Sequence, residues 1–199
     1  MTEEDGARVA DHDIDAGILG RWSPRAFTGE DIPDATLMKL FEAARWAPSA
    51  FNLQPWRFIF ARRGGPEWEA FLGLLLSYNR DWAHRASALV FLASARFRQT
   101  SRGEIERIYS HSFDAGSAWG YLALQAHHLG WATRGMTGFD HERCYATLGL
   151  SDTEYRVEMA IAIGRLADKE VLPEALRTRE APSRREPLSR LVFEGRFHP

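Results

Sequence analysis

The chain has 199 residues, enough to bury a sizeable core, and its 45% apolar and 26% charged content is that of a soluble globular protein. Its formal net charge of −2 argues against a nucleic-acid footprint, and its single cysteine, Cys144, excludes an intrachain disulfide and a cysteine-rich metal site. The first residues, MTEEDGARVADHD, are acidic and polar, unlike a signal peptide, and no apolar run approaches the ~20 residues of a membrane span. A cytoplasmic protein without membrane or nucleic-acid partners is expected.

Residues 1–13 read as a loose arm. From 34 the pattern turns helical, with Asp34 placed to cap and Leu37, Leu40, Phe41 and Ala44 on one face, until Pro48 stops it. Residues 56–61 read as a strand followed by the turn Arg62-Arg63-Gly64-Gly65-Pro66, and 67–76 as a second amphipathic helix. The nearly unbroken apolar run 88–95 predicts a strand buried on both faces. The stretch 96–112 is polar and of modest length. The longest helix is expected over about 112–129, with Gly130 as its stop; Cys144 falls in a further helix, about 141–149, as a buried structural thiol. Short and long strands are expected at 131–136 and 158–166, so that helices and strands alternate in one layered domain spanning 1–199. From about 167 to 199 Arg, Glu and Pro dominate, and the apolar finish, Leu191, Val192, Phe193 and Phe197, suits a tail docked on another surface such as a second subunit.

Two stretches carry the chemistry. RWSPRAF at 21–27 alternates Arg21, Ser23 and Arg25, so an extended segment aims all three to one side, where guanidiniums can fork onto a phosphate; Arg184 and Arg185 are available to complete the cluster. APSAFNLQPWRF at 47–58 packs Ser49, Asn52 and Gln54 into six residues, a hydroxyl and two amides suited to the heteroatoms of a flat heterocycle. The chain lacks GxGxxG, a GxxxxGK[ST] loop and a GxSxG elbow, which argues against a dinucleotide-binding Rossmann domain, a P-loop NTPase and a serine hydrolase. The adjacent His127 and His128 diverge by about 100° on a helix and make a poor metal pair, so no metal site is expected.

RWSPRAF, PSAFNLQPW, Asn79, TGFD at 137–140 and RREPL at 184–188 occur in an order and at separations that resemble the FMN-dependent nitroreductase family over residues 20–197. That resemblance implies an α+β fold, a three-layer α-β-α sandwich with a central mixed or antiparallel sheet, built as a homodimer whose C-terminal arm extends onto its partner. It implies FMN, with NADH or NADPH as electron donor. Arg21, Ser23 and Arg25 would hold the phosphate with Arg184 or Arg185, and Trp22 would add backbone. Pro48, Ser49, Asn52 and Gln54 would join the FMN site, Ser49 and Asn52 reaching across the dimer interface. Asn79 would read the pyrimidine edge, and the backbone N–H groups of Thr137 and Gly138 would lie near flavin N5.

The implied reaction passes electrons through flavin N5 to nitroaromatics, quinones or other small conjugated acceptors in a ping-pong cycle, with no catalytic residue required of the protein because the cofactor carries the chemistry. The alternatives on the same scaffold are dehalogenation, heterocycle oxidation, flavin fragmentation, or flavin binding without turnover. Arg134, Phe51 and Trp46 are further candidates to line the site. One departure stands out. Some relatives carry a lysine three residues after Asn79, near flavin N1 and O2, where this chain has Trp82, which implies a lower reduction potential unless Arg80 or Arg85 reaches in.

Overall fold

A computed structural model describes residues 8–198; the loose arm expected at 1–13 thus lies outside the described residues over 1–7. Its centre is a four-stranded sheet in the order β1-β2-β6-β5, formed by β1 (Trp56–Arg62), β2 (Ala88–Ala95), β5 (Ala132–Met136) and β6 (Tyr155–Gly164). Every neighbouring pair is antiparallel, so of the two expected forms, mixed or antiparallel, the chain adopts the second. The stretch 96–112 holds a small separate hairpin, β3 (Phe97–Gln99) with β4 (Ile105–Arg107).

The apolar run of β2 divides by the two-residue period of a strand. Leu89, Phe91 and Ala93 join one core, whereas Ala88, Val90 and Leu92 join the other. The second core packs under α2 (Asp34–Arg45) and α5 (His111–His128), through Leu37, Leu40 and Ala44 from the first and Ala115, Ala118, Leu122 and Ala126 from the second. These residues recur at spacings of three and four, the mark of helices that bury one stripe. The first core packs under α3 (Trp68–Leu74), α4 (Ser77–Ala83) and α6 (Arg143–Leu148), through Trp68, Phe71, Leu74, Trp82 and Cys144. Helices on both faces of one sheet make the α-β-α sandwich. Burial, then Asp140, pushes the Cys144 thiol above its ordinary value, as befits a structural cysteine.

Three local outcomes differ from the sequence expectation. Asp34 is the first helical residue rather than the cap, a place where its charge favours the helix dipole and its carboxylate pairs with Arg62 at 2.5 Å. The expected helix 67–76 is shorter, and α4 follows it after a break at Leu75, which bridges to Phe139. A further short helix, α1 (Ala16–Gly20), precedes the arginine segment and packs on the end of α5.

The RWSPRAF segment is fastened to the sheet by its own end. Phe27 bridges to Leu166, the Thr28 N–H donates to Arg165 O (3.0 Å) and the Ala167 N–H to Ala26 O (3.0 Å). The Phe27 ring is fully buried against Gly164, where a Cβ would stand 2.6 Å from Phe27 Cδ1; only glycine admits the ring at that distance. Burying that phenylalanine contributes about 2–3 kcal/mol to holding the segment in place.

Candidate functional site

Arg21 and Ser23 share one side as their alternation predicts, with Arg21 Nη1 donating to Ser23 Oγ at 3.2 Å. Two distant residues join them. Arg8 donates to the carbonyls of Leu19 (2.9 Å), Arg21 (2.6 Å) and Ser183 (3.1 Å), and Arg185 donates to Ser183 Oγ (2.9 Å) and to the carbonyls of Ser183 and Arg184. Arg8 therefore ties the arginine segment to the C-terminal stretch. Burial pushes Arg21 below its ordinary value, and the neighbouring Arg8 and Arg185 guanidiniums push the same way. Among the described residues none of the three has a carboxylate in ion-pair range. Three mutually repelling guanidiniums with a hydroxyl and no acid form a donor set that fits a phosphate dianion. Both C-terminal arginines are exposed; Arg185 enters the cluster with its side chain, whereas Arg184 contributes its carbonyl.

Arg25 and Trp22 stand apart from that cluster. Glu180, with a side chain 2% exposed, accepts from the backbone N–H groups of Arg25 (2.5 Å) and Ala26 (2.8 Å) and pairs with the Arg25 guanidinium at 3.4 Å. The first part of the C-terminal stretch is thus docked on its own chain, whereas Leu188, Leu191, Val192 and Phe197 are exposed. Trp22 is half-buried.

A second cluster lies where α4 meets the loop after β5. Asn79 is buried, and its Nδ2 donates to Gly138 O at 2.9 Å, which also accepts from the Leu76 N–H at 3.1 Å. A Cβ on Gly138 would strike the Tyr78 hydroxyl and stand 2.7 Å from Asn79 Nδ2, so this contact needs glycine. Asn79 retains its Oδ1 and its second N–H for a ligand. The amides of Thr137 and Gly138 donate to no group among the described residues, and Thr137 is exposed.

Pro48, Ser49, Asn52 and Gln54 form a third group, and no hydrogen bond among the described residues joins it to Arg21 or Asn79. Ser49 Oγ accepts from the Gln54 N–H (3.0 Å), Gln54 Nε2 donates to Asn52 O (3.0 Å), and the Ala50 N–H donates to Asp114 Oδ2 on α5 (3.3 Å). Phe51, Asn52 and Gln54 carry φ of 50°, 55° and 48°, a left-handed backbone that costs about 1–3 kcal/mol per residue, least for asparagine. Pro48 and Asn52 are exposed, as are the aromatic side chains of Trp46, Phe51 (88%), Tyr109 and Phe113 around them. The loop is bent, held by its own polar groups, and turned outward.

Over residues 18–77 and 64–165 the chain matches the model of the nitroreductase family. It belongs to that family. A solved structure described as "The crystal structure of the oxidoreductase containing FMN" superposes with a TM-score of 0.94 at 43% sequence identity, covering 99% of this chain and 99% of that one. Among curated relatives, the "NADH dehydrogenase" of Thermus thermophilus is 28% identical over 91% of this chain and 95% of its own. The "CLA biosynthesis enone reductase" of Lactiplantibacillus plantarum is 26% identical over 81% of this chain and 89% of its own. The sandwich described above is the nitroreductase fold, an α+β arrangement with an antiparallel sheet between helices. No helix of the described residues is long and apolar enough to cross a membrane.

Proposed function

We propose that the protein is an FMN-dependent NAD(P)H oxidoreductase of a single nitroreductase-like domain, working as a homodimer and passing electrons to small conjugated acceptors such as nitroaromatics and quinones. The observation that carries the reading is the cluster of Arg8, Arg21, Ser23 and Arg185, which has no carboxylate in ion-pair range among the described residues and which Arg134 links, from the Ser23 carbonyl to Trp82, to the helix that carries Asn79. When bound, FMN would supply the redox chemistry, taking hydride from the nicotinamide at N5 and releasing the electrons to an acceptor that replaces it in the same pocket.

The residues of this chain bind and orient. Arg8, Arg21, Ser23 and Arg185 hold the phosphate, and Arg25, pinned by Glu180, fixes the backbone that carries them. Asn79 reads the pyrimidine edge with the donor and acceptor it keeps free, and the unpartnered Thr137 and Gly138 amides face the ring. The outward loop with Ser49, Asn52 and Gln54 serves the pocket of a second copy. Its exposed aromatics, together with Phe113, form the apolar surface that such a copy covers.

The test is the visible spectrum of the purified protein, with and without added FMN, followed by anaerobic NADH and NADPH. Flavin bands that bleach on mixing are expected, and the faster donor identifies the nicotinamide. Protein that cannot be loaded with FMN would sink the assignment, whereas FMN that stays oxidised with both donors would leave a binding module without turnover.

A further inference from the structure

The departure at Trp82 has a counterpart one strand away. Arg134, on β5, donates through Nη1 to the carbonyl of Ser23, and its guanidinium carbon lies 5.7 Å from the centroid of the Trp82 ring. Trp82 is 1% exposed and presents a flat buried face, the surface on which a planar cation rests favourably. The other cations near α4 are placed elsewhere. Arg85 donates to the carbonyls of Phe27 (3.0 Å) and Thr28 (3.4 Å), and Arg80 is exposed. Arg25 is paired with Glu180.

Arg134 is half-buried, and among the described residues no carboxylate lies within ion-pair distance of it. The nearest acid, Glu180, already serves Arg25 and two backbone amides. Burial, then Arg25, pushes the Arg134 guanidinium below its ordinary value; Glu180 offsets part of this, and Arg179 adds to it. A half-buried cation without a carboxylate beside it favours an anion placed against it.

The chemistry of FMN locates that anion. The phosphate-bearing ribityl chain leaves the ring at N10, beside N1 and O2, so the ring edge nearest the phosphate is the N1–C2–O2 edge. Arg134 bridges the Ser23 carbonyl and the Trp82 ring of α4, the helix that also carries Asn79, so FMN held by Ser23 at its phosphate and by Asn79 at its ring would bring that edge towards Arg134. Bound FMN reduced by hydride would gain two electrons and one proton, and would carry a negative charge on that edge unless a second proton were taken up from solvent.

We propose that Arg134, resting on Trp82 and anchored to the Ser23 carbonyl, is the cation that faces the N1–O2 edge and stabilises the reduced, anionic flavin, so that this chain has moved to β5 a charge that some relatives carry at the position of Trp82. The inference rests on the FMN reading above. It replaces the expectation of a low potential with that of a potential held up by Arg134.

The experiment equilibrates FMN-loaded wild-type, Arg134→Gln and Arg134→Lys proteins with dyes of known potential. Arg134→Gln is expected to retain FMN but to bind reduced flavin about tenfold more weakly relative to oxidised flavin, which lowers the two-electron potential by about 30 mV, and Arg134→Lys to recover most of the shift. An Arg134→Gln potential equal to wild type overturns the proposal and leaves the FMN reading standing. Should the glutamine variant not fold, the wild-type protein alone decides. One proton per two electrons gives about 30 mV for each tenfold change in proton concentration, and that slope is expected to persist into mildly acid pH; a two-proton slope of about 59 mV overturns the proposal. Wild-type protein that takes up no FMN fails at the loading step and overturns the function reading with it.

Discussion

Two regions of this molecule prepare for a ligand in opposite ways. The Arg21 segment is zipped to the end of β6, clamped by Glu180 and drawn against the C-terminal stretch by Arg8, so its charges converge inside one chain. The loop 48–54 has no hydrogen bond to Arg21 or Asn79 among the described residues. It holds three left-handed residues in place with its own side chains and with Asp114, and surrounds itself with exposed aromatics. Charge repulsion is stored in the first region and backbone strain in the second. On the function proposed above, a phosphate would relieve the one and the surface of a second copy would cover the other.

The sharpest way to break the comparison is at the second region. Phe113→Asp removes an exposed aromatic from the proposed interface and places a charge there; counted over two symmetric copies, the loss is about 3–6 kcal/mol of association. Sedimentation velocity is expected to report monomers, with FMN retention falling as dimers are lost; a dimer that survives the change would place the interface elsewhere. Next in size is Arg21→Ala. It is expected to weaken FMN by about 2–5 kcal/mol, at least about 30-fold, with little change in riboflavin binding, because riboflavin lacks the phosphate. Equal losses for both flavins, read by fluorescence titration, would remove Arg21 from the phosphate.

The smallest effect concerns the support beneath the loop. His111, in the first turn of α5, is buried beside Ser94 (Oγ to Nδ1 2.8 Å), and the Ser94 hydroxyl donates its hydrogen to Glu158 at 2.6 Å. Ser94 Oγ therefore accepts from the His111 Nδ1–H. Burial depresses His111 below the ordinary histidine value, Glu158 acts against this, and Arg156, Arg96 and Arg107 add to it. With the folded value below the unfolded one, the unfolded chain binds more protons in the window between them. Stability is then full above the ordinary histidine range and declines as pH falls through it, at no more than about 1.4 kcal/mol per pH unit for one proton. Thermal melts of wild type and His111→Gln across that range are expected to show a shallower acid-side decline in the variant, and parallel curves would remove His111 as the cause.

The layers of the fold were legible because burial on both faces leaves a continuous apolar run, as in β2, and burial on one face leaves a helical stripe, as in α2. α4 escaped notice because SYNRDWA buries only Asn79, Trp82 and Ala83 and offers too short a period to recognise. Within the site, Arg21 and Ser23 could be picked out because their alternation keeps partners two residues apart, whereas Asn79, whose partner Gly138 lies 59 residues away, was reached only through the family resemblance. Arg8 and Glu180 could not: Glu180 lies 155 residues from Arg25, and Arg8 bonds to the Ser183 carbonyl 175 residues away. Nothing local to either residue distinguishes it from a solvated surface charge.

The sequence by itself determined a layered domain of helices and strands and the residue types offered to a phosphate and a ring, since these follow from hydrophobic period and short motifs, and its resemblance to the nitroreductase family implied the sandwich. Tertiary structure alone decided which charges remain free. Arg25 is paired with Glu180, whereas among the described residues Arg8, Arg21, Arg185 and Arg134 have no carboxylate in ion-pair range, and Arg134 rather than Arg80 or Arg85 lies against Trp82. Whether a guanidinium is a ligand or an ion-pair partner depends on which carboxylate comes within about 4 Å of it, a distance set by how remote segments pack.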